Sequence, residues 1–100
     1  MLDKLKQLQQ MKQQMDAAKE RLNHISVRGE CQGVVVVSNG NKKITEVIIP
    51  QQLASSGNAN EIAELVMIAT NSAIEKAEGV FESEMRSMAG GLMGGMGGLF

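Results

Sequence analysis

Four consecutive valines, Val34 to Val37, followed by Ser38-Asn39-Gly40, restrict this chain more than any other stretch. β-Branched side chains lose rotamer freedom in a helix and pack well on a pleated surface, so Val34 to Ser38 reads as a strand. The strand is apolar without alternation, which means cover on both faces. Asn39-Gly40 is a hairpin signal because both residues tolerate positive φ. Lys43 to Ile49 is the return strand, stopped by Pro50, which has no N–H to give to a ladder. Another strand, Ile25 to Cys31, precedes the valines, with Gly29 as a bulge or a point of close approach. Three short antiparallel strands are expected. Their cover must come from the flanking segments or from a second molecule, and the fully apolar middle strand points to a partner.

Both flanks read as helices. Residues 2 to about 24 contain no Gly or Pro and are rich in Leu, Lys, Gln, Met and Ala. Leu8, Met11, Met15, Ala18, Leu22 and Ile25 follow the 3-4-3-4-3 spacing of a heptad seam. Lys12 and Lys19 fall at the flanking e position and Arg21 at g. The seam is shorter than three heptads, so this helix is marginal alone and must pack on something. Beyond Pro50, residues 51–60 form a polar connection with room for a helical turn near Gln51 to Ala54. Asn58 with Glu61 reads as a capping box. It opens a long helix to about Met88, with the stripe Ile62, Leu65, Val66, Ala69, Ala73, Ala77, Val80, Phe81, Met85 and Met88. Gly79 interrupts that helix at a cost of about 1 kcal/mol against Ala. The domain is residues 1–88, and residues 89–100 form a Gly/Met-rich tail expected to be flexible. The fold class is α+β: an N-terminal helix, a three-stranded antiparallel sheet and a long C-terminal helix.

At 100 residues with 43% apolar side chains, the chain fits one domain. A chain this short buries a modest share of its surface and often completes its stability with a partner. The net charge of −1 hides an asymmetry. Residues 1–28 carry Lys4, Lys6, Lys12, Lys19, Arg21 and Arg28 against Asp3, Asp16 and Glu20, a balance of +3. Residues 61–100 carry Lys76 and Arg86 against Glu61, Glu64, Glu75, Glu78, Glu82 and Glu84, a balance of −4. Such a chain can hold a local anion-binding face, and its two ends can attract each other.

Several functions are argued against. Cys31 is the only cysteine, so no intrachain disulfide forms, and a reducing compartment is the simple inference. The first residues lack the apolar core of a signal peptide, and the valine run is far too short to span a membrane. A cytoplasmic protein is expected. His24 and Cys31 cannot make a four-ligand zinc site, and the glycines at 90–98 lack the Gly-Lys-Ser/Thr of a phosphate loop. No paired carboxylates stand out for acid–base work. No catalytic residue, metal, cofactor or small-molecule substrate is assigned. His24 reads as a helix-terminal residue suited to the macrodipole, and Cys31 as a strand packing residue.

The order helix, strand, strand, Asn-Gly turn, strand, long helix resembles the YbaB/EbfC family of nucleoid-associated proteins. The residues carrying the resemblance are Met11-Lys12-Gln13-Gln14-Met15, then Val27-x-Gly29, then Val35-x-Val37-x-Asn39-Gly40, then Val47-Ile48-Ile49 and Leu53. Ile68-Ala69-Thr70-Asn71-Ser72-Ala73 is similar to the family's Ala-Ala-x-Asn-x-Ala helix centre, and a Gly/Met-rich tail is usual there. The likeness spans nearly the whole chain and rests on the ordered set. Two stretches depart from it. Glu30-Cys31-Gln32-Gly33 stands where the family usually has several consecutive glycines, and Ile49-Pro50-Gln51 where it has Ile-Asp-Pro. The resemblance implies a tweezer-like homodimer with the sheets at its centre and the helices projecting as arms. It implies DNA binding with little or moderate sequence preference, a role in organising the nucleoid or modulating gene expression, and no catalysis.

The cations of the first helix thus have two readings. Taken alone, Lys4, Lys6, Lys12, Lys19 and Arg21 most resemble a solvated helix face. With the family resemblance they become, together with Arg28, phosphate contacts, each releasing a condensed counterion. A dimer axis doubles them, so that two weak patches act together. Lys42 and Lys43 beside the turn either extend that surface or solubilise the turn. Gln7, Gln9, Gln10, Gln13 and Gln14 read as neutral helix formers. The resemblance implies DNA as the partner, and the duplex form is favoured because Phe81 and Phe100, the only aromatics, argue against a reader of unpaired bases. The alternative is a structural adaptor that binds a protein partner through the seam.

Overall fold

The computed structural model describes residues 2–94, with side chains described through Gly90. Its elements are α1 (Leu2–Asn23), β1 (Ser26–Cys31), β2 (Val34–Asn39), β3 (Ile44–Ile48), α2 (Gln51–Ser55) and α3 (Ala59–Gly94). The three strands form one antiparallel sheet in the order β1-β2-β3. This is the α+β architecture expected from the sequence.

The valine run is the central strand. Val34 and Val36 are fully buried in a cluster with Leu65, Ala69 and Ala73 of α3, and Cys31, Ile44, Leu53 and Val66 pack around it. On the other sheet face Val35 is only 6% exposed, between its cross-strand partners Glu30 and Ile48. The helix on one face and the flanking strands on the other account for most of the burial, so β2 alone does not call for a partner. The exposed apolar surface of the sheet lies on the edge strand β3 and just beyond it, at Val47 (46%), Ile48 (42%) and Ile49 (38%), with further exposed apolar side chains on α1 and at Met67 and Ile68 of α3.

Gly29 explains how α3 comes so close. It pairs regularly with Val36, so it is no bulge. A Cβ there would overlap the carbonyl oxygen of Ala69 and stand 2.5 Å from the backbone nitrogen of Ala73. The small residues Ala69 and Ala73 let the helix backbone rest directly on β1. The irregularity in the sheet falls elsewhere. Val37 pairs with Glu46 and Ser38 with Ile44, which leaves Thr45 as the extra residue.

The turn chemistry differs from the sequence reading. The two-residue reversal with positive φ at both positions is Gln32 (φ 48°) and Gly33 (φ 90°), between Cys31 and Val34. Neither Asn39 nor Gly40 has positive φ. Their connection is a three-residue loop closed by Lys42 at φ 67°, with Asn39 N–H donating to Lys43 O and Lys42 N–H to Asn39 O. Asn39 and Gly40 serve other needs. Asn39 Oδ1 accepts from the backbone amides of Asn41 (2.9 Å) and Lys43 (3.1 Å), which pins the loop. Gly40 presses against α1, where a Cβ would stand 2.9 Å from Leu22 O.

That loop completes α1. The last carbonyls of a helix have no intrahelical donor. Here Gly40 N–H donates to Leu22 O (2.9 Å), and Asn41 Nδ2 donates to Lys19 O (3.0 Å) and to Asn23 Oδ1 (2.6 Å). The foot of the heptad seam is packed, with Ala18 and Leu22 fully buried. Its upper half is not: Leu8, Met11 and Met15 are 61%, 48% and 46% exposed. α1 therefore projects from its foot, and the molecule measures 64 × 24 × 17 Å.

α3 starts on the expected cap. Asn58 Oδ1 accepts from Glu61 N–H, and Asn58 Nδ2 donates back to Glu61 Oε2, both at 3.2 Å. Leu65, Ala69, Ala73 and Ala77 are its buried stripe. The helix runs on through Ala89–Gly94, past the expected end near Met88. Extending an existing helix adds one hydrogen bond per residue ordered, which offsets the glycine cost there. The rest of the expected flexible tail, from residue 95, lies outside the described residues.

Candidate nucleic-acid interface

The cations of α1 do not form one stripe. At 3.6 residues per turn, Lys12 and Lys19 point within about 20° of each other and Lys4 within about 80° of both. Lys12 and Lys19 lie along one border of the seam, Lys4 falls on the seam itself at a d position, and all three are exposed. Arg21 lies on the opposite border, and Lys6 on the back of the helix away from the seam. Asp16 sits four residues after Lys12 and three before Lys19, and partly offsets that row. Glu20 faces His24, with Oε1 and Nε2 3.1 Å apart. His24 lies just past the end of α1, as expected of a helix-terminal residue.

Two of the expected phosphate contacts are engaged within the chain. Arg21 donates through Nε (2.8 Å) and Nη2 (2.5 Å) to Glu84 Oε1 on α3. Their side chains are 58% and 21% exposed, and a pair this open to water stabilises the fold by less than about 1 kcal/mol. Lys42 Nζ lies 4.5 Å from the centre of the Phe81 ring, a cation–π contact. Both contacts tie the foot of α1 and its loop to α3, and the Arg21–Glu84 pair is an attraction between the basic and acidic ends that the charge distribution allows.

The remaining cations are spread out. Arg28 is exposed on the sheet face away from α3, since Val27, Gly29 and Cys31 alternate toward the helix. It belongs to the sheet and not to the α1 row, and its carbonyl accepts from Lys76 Nζ at 2.8 Å. Lys43 is exposed at the start of the return strand. Among the described residues Arg86 approaches Glu82, at 3.8 Å. The structure thus aligns Lys12 and Lys19, leaves Lys4 about 60–80° round the helix on the seam, and sets Lys6, Arg28, Lys42 and Lys43 apart from them. Sequence reasoning overlooked Asn41 and Glu84, which hold the foot of α1. Asn41 follows a turn signal directly and was within reach of a sequence argument. Glu84 pairs across 63 residues and leaves no local signal.

Chemically, the arrangement offers point charges on a projecting helix. Such charges suit a polyanion. Cys31 is half-buried and packs on the core cluster. Among the described residues no His/Cys/Asp/Glu group could hold a metal, and no helix is long and apolar enough to cross a membrane.

Comparison with known proteins agrees with this geometry. The family model for the YbaB/EbfC DNA-binding family matches residues 1–92. A nucleoid-associated protein of Acetivibrio thermocellus is 33% identical over 98 residues, covering 96% of this chain and 86% of the relative. One from Caulobacter sp. (strain K31) is 33% identical over 97 residues, covering 95% and 89%. One from Exiguobacterium sibiricum is 34% identical over 88 residues, covering 86% and 81%. The family is one of DNA-binding proteins and not of enzymes, as the lack of a catalytic constellation led us to expect. With its helix, antiparallel sheet and long helix matched almost from end to end, the chain belongs to the YbaB/EbfC DNA-binding family.

Proposed function

We propose that this protein is a nucleoid-associated protein of the cytoplasm that binds duplex DNA as a homodimer, through phosphate contacts from its α1 arms. The observation that carries this reading is the exposed pair Lys12 and Lys19, with Lys4 exposed nearer the tip, on a helix that projects from the fold. Lys6 adds charge on the back of the helix, and Arg28 and Lys43 extend the surface beyond it. Arg21 and Lys42 contribute only when they leave their partners on α3. Phosphate contacts position a protein on DNA without reading bases, which fits little or moderate sequence preference. The homodimer forms through β3, where Val47, Ile48 and Ile49 are exposed. The β1 edge is less suited to strand pairing, because Lys76 already occupies the Arg28 carbonyl.

A salt titration of duplex binding tests this. With roughly six phosphate contacts per dimer, log K falls against log salt with a slope near −5. Charge reversal at Lys12 and Lys19 together weakens binding by at least ~10-fold. A salt-insensitive affinity, or one unmoved by the double reversal, overturns the proposal. The exposed Leu8, Met11 and Met15 favour one second reading, an adaptor that docks a protein helix on the seam. Protein partners that survive nuclease treatment, with no shift of duplex DNA, would support it.

A further inference from the structure

We propose that Glu84 sets the affinity of the α1 surface for DNA by competing with phosphate for Arg21; this rests on the DNA-binding reading above. Arg21 presents Nε and Nη2 together to one oxygen of Glu84, at 2.8 and 2.5 Å. That edge of the guanidinium is also the one that grips a phosphate. The same N–H groups cannot serve both anions at once. Arg21 is the more open partner, at 58% exposure against 21% for Glu84. DNA can therefore reach Arg21 while Glu84 stays seated on α3. The competition is confined to this cation. Lys12 and Lys19 on the other border of the helix, and Lys4 near its far end, lie away from Glu84, so their phosphate contacts form whether or not Arg21 is released. DNA binding thus has a constitutive part, from these lysines, and a part that Glu84 withholds.

The experiment is a double-mutant cycle on the full-length protein, read as duplex DNA affinity over a range of salt concentrations. Glu84→Gln keeps the shape and removes the competing charge. It tightens binding by about two- to fivefold per arm, a modest gain because an exposed ion pair is weak. It also steepens the salt slope by about 0.9 for each Arg21 that gains a phosphate. Arg21→Gln alone changes affinity little, and in that background Glu84→Gln no longer tightens binding. Glu82→Gln is the control for bulk charge. Glu82 is 68% exposed and, among the described residues, pairs with Arg86, so its removal leaves the slope unchanged. Thermal melts confirm that each variant folds. A Glu84→Gln gain that persists without Arg21, or that Glu82→Gln reproduces, overturns the inference and leaves the DNA reading intact. Weaker binding by Glu84→Gln also overturns it, because the pair then serves to position α1 for DNA. If the wild-type protein does not bind duplex DNA, both fall together.

Discussion

Gly29 and Gly79 both interrupt regular elements, and the structure gives them opposite meanings. A Cβ at Gly29 would run into the backbone of α3 at Ala69 and Ala73, which cannot move aside as a side chain would. Gly29→Ala is expected to cost about 3 kcal/mol or more, as overpacking against fixed atoms does. Gly79 lies in α3 with open space where its Cβ would be. Gly79→Ala is expected to stabilise the fold by about 0.5–1 kcal/mol, through helix propensity and a less flexible unfolded chain. Urea unfolding of the two variants checks both signs. The sequence marked Gly29 as a bulge or a point of close approach, and the regular pairing with Val36 selects the second. It marked Asn39-Gly40 for the wrong reason. Positive φ went instead to Gln32, Gly33 and Lys42, while Gly40 was needed for contact with Leu22.

Among the elements, α1 depends most on its surroundings. Its heptad spacing was visible in the sequence, but only Ala18 and Leu22 are fully buried. Periodicity tells which face is apolar and not how far a neighbour extends along it. What holds the foot of the helix is the loop after β2, through Gly40 and Asn41. Asn41→Ala removes the donor to Lys19 O, and should weaken the last turn by about 1 kcal/mol. Faster amide exchange confined to residues near the end of α1, with β2 unchanged, is the expected readout. The strands and α3 were legible for a simpler reason: period 2 or continuous apolarity for one, period 3.6 for the other. The availability of each cation was not legible. Arg21 meets Glu84, and Lys42 meets Phe81, across separations that only the tertiary fold defines.

For the whole molecule, the split between a basic start and an acidic helix was readable from composition, and the fold joins the two at Arg21 and Glu84. The basis for a partner has moved from β2, which is largely covered within one chain, to the exposed residues of β3. Ile48→Lys should leave the monomer fold intact, since that side chain is 42% exposed, and should shift sedimentation from dimer to monomer. DNA affinity should fall with it, because two arms on one rigid body bind better than either alone. Gripping α1 only at its foot has a mechanical consequence. The 22-residue helix is a rod about 33 Å long, and a tilt of ~5° at its fulcrum carries the tip about 3 Å. That travel is close to the ~3.4 Å axial step between charges on one DNA strand. If the α1 lysines contact phosphate as proposed, Lys4 near the tip would slip from one phosphate to the next while Lys19, close to the pivot, held its place. Compliance at the root would then become tolerance of sequence at the tip.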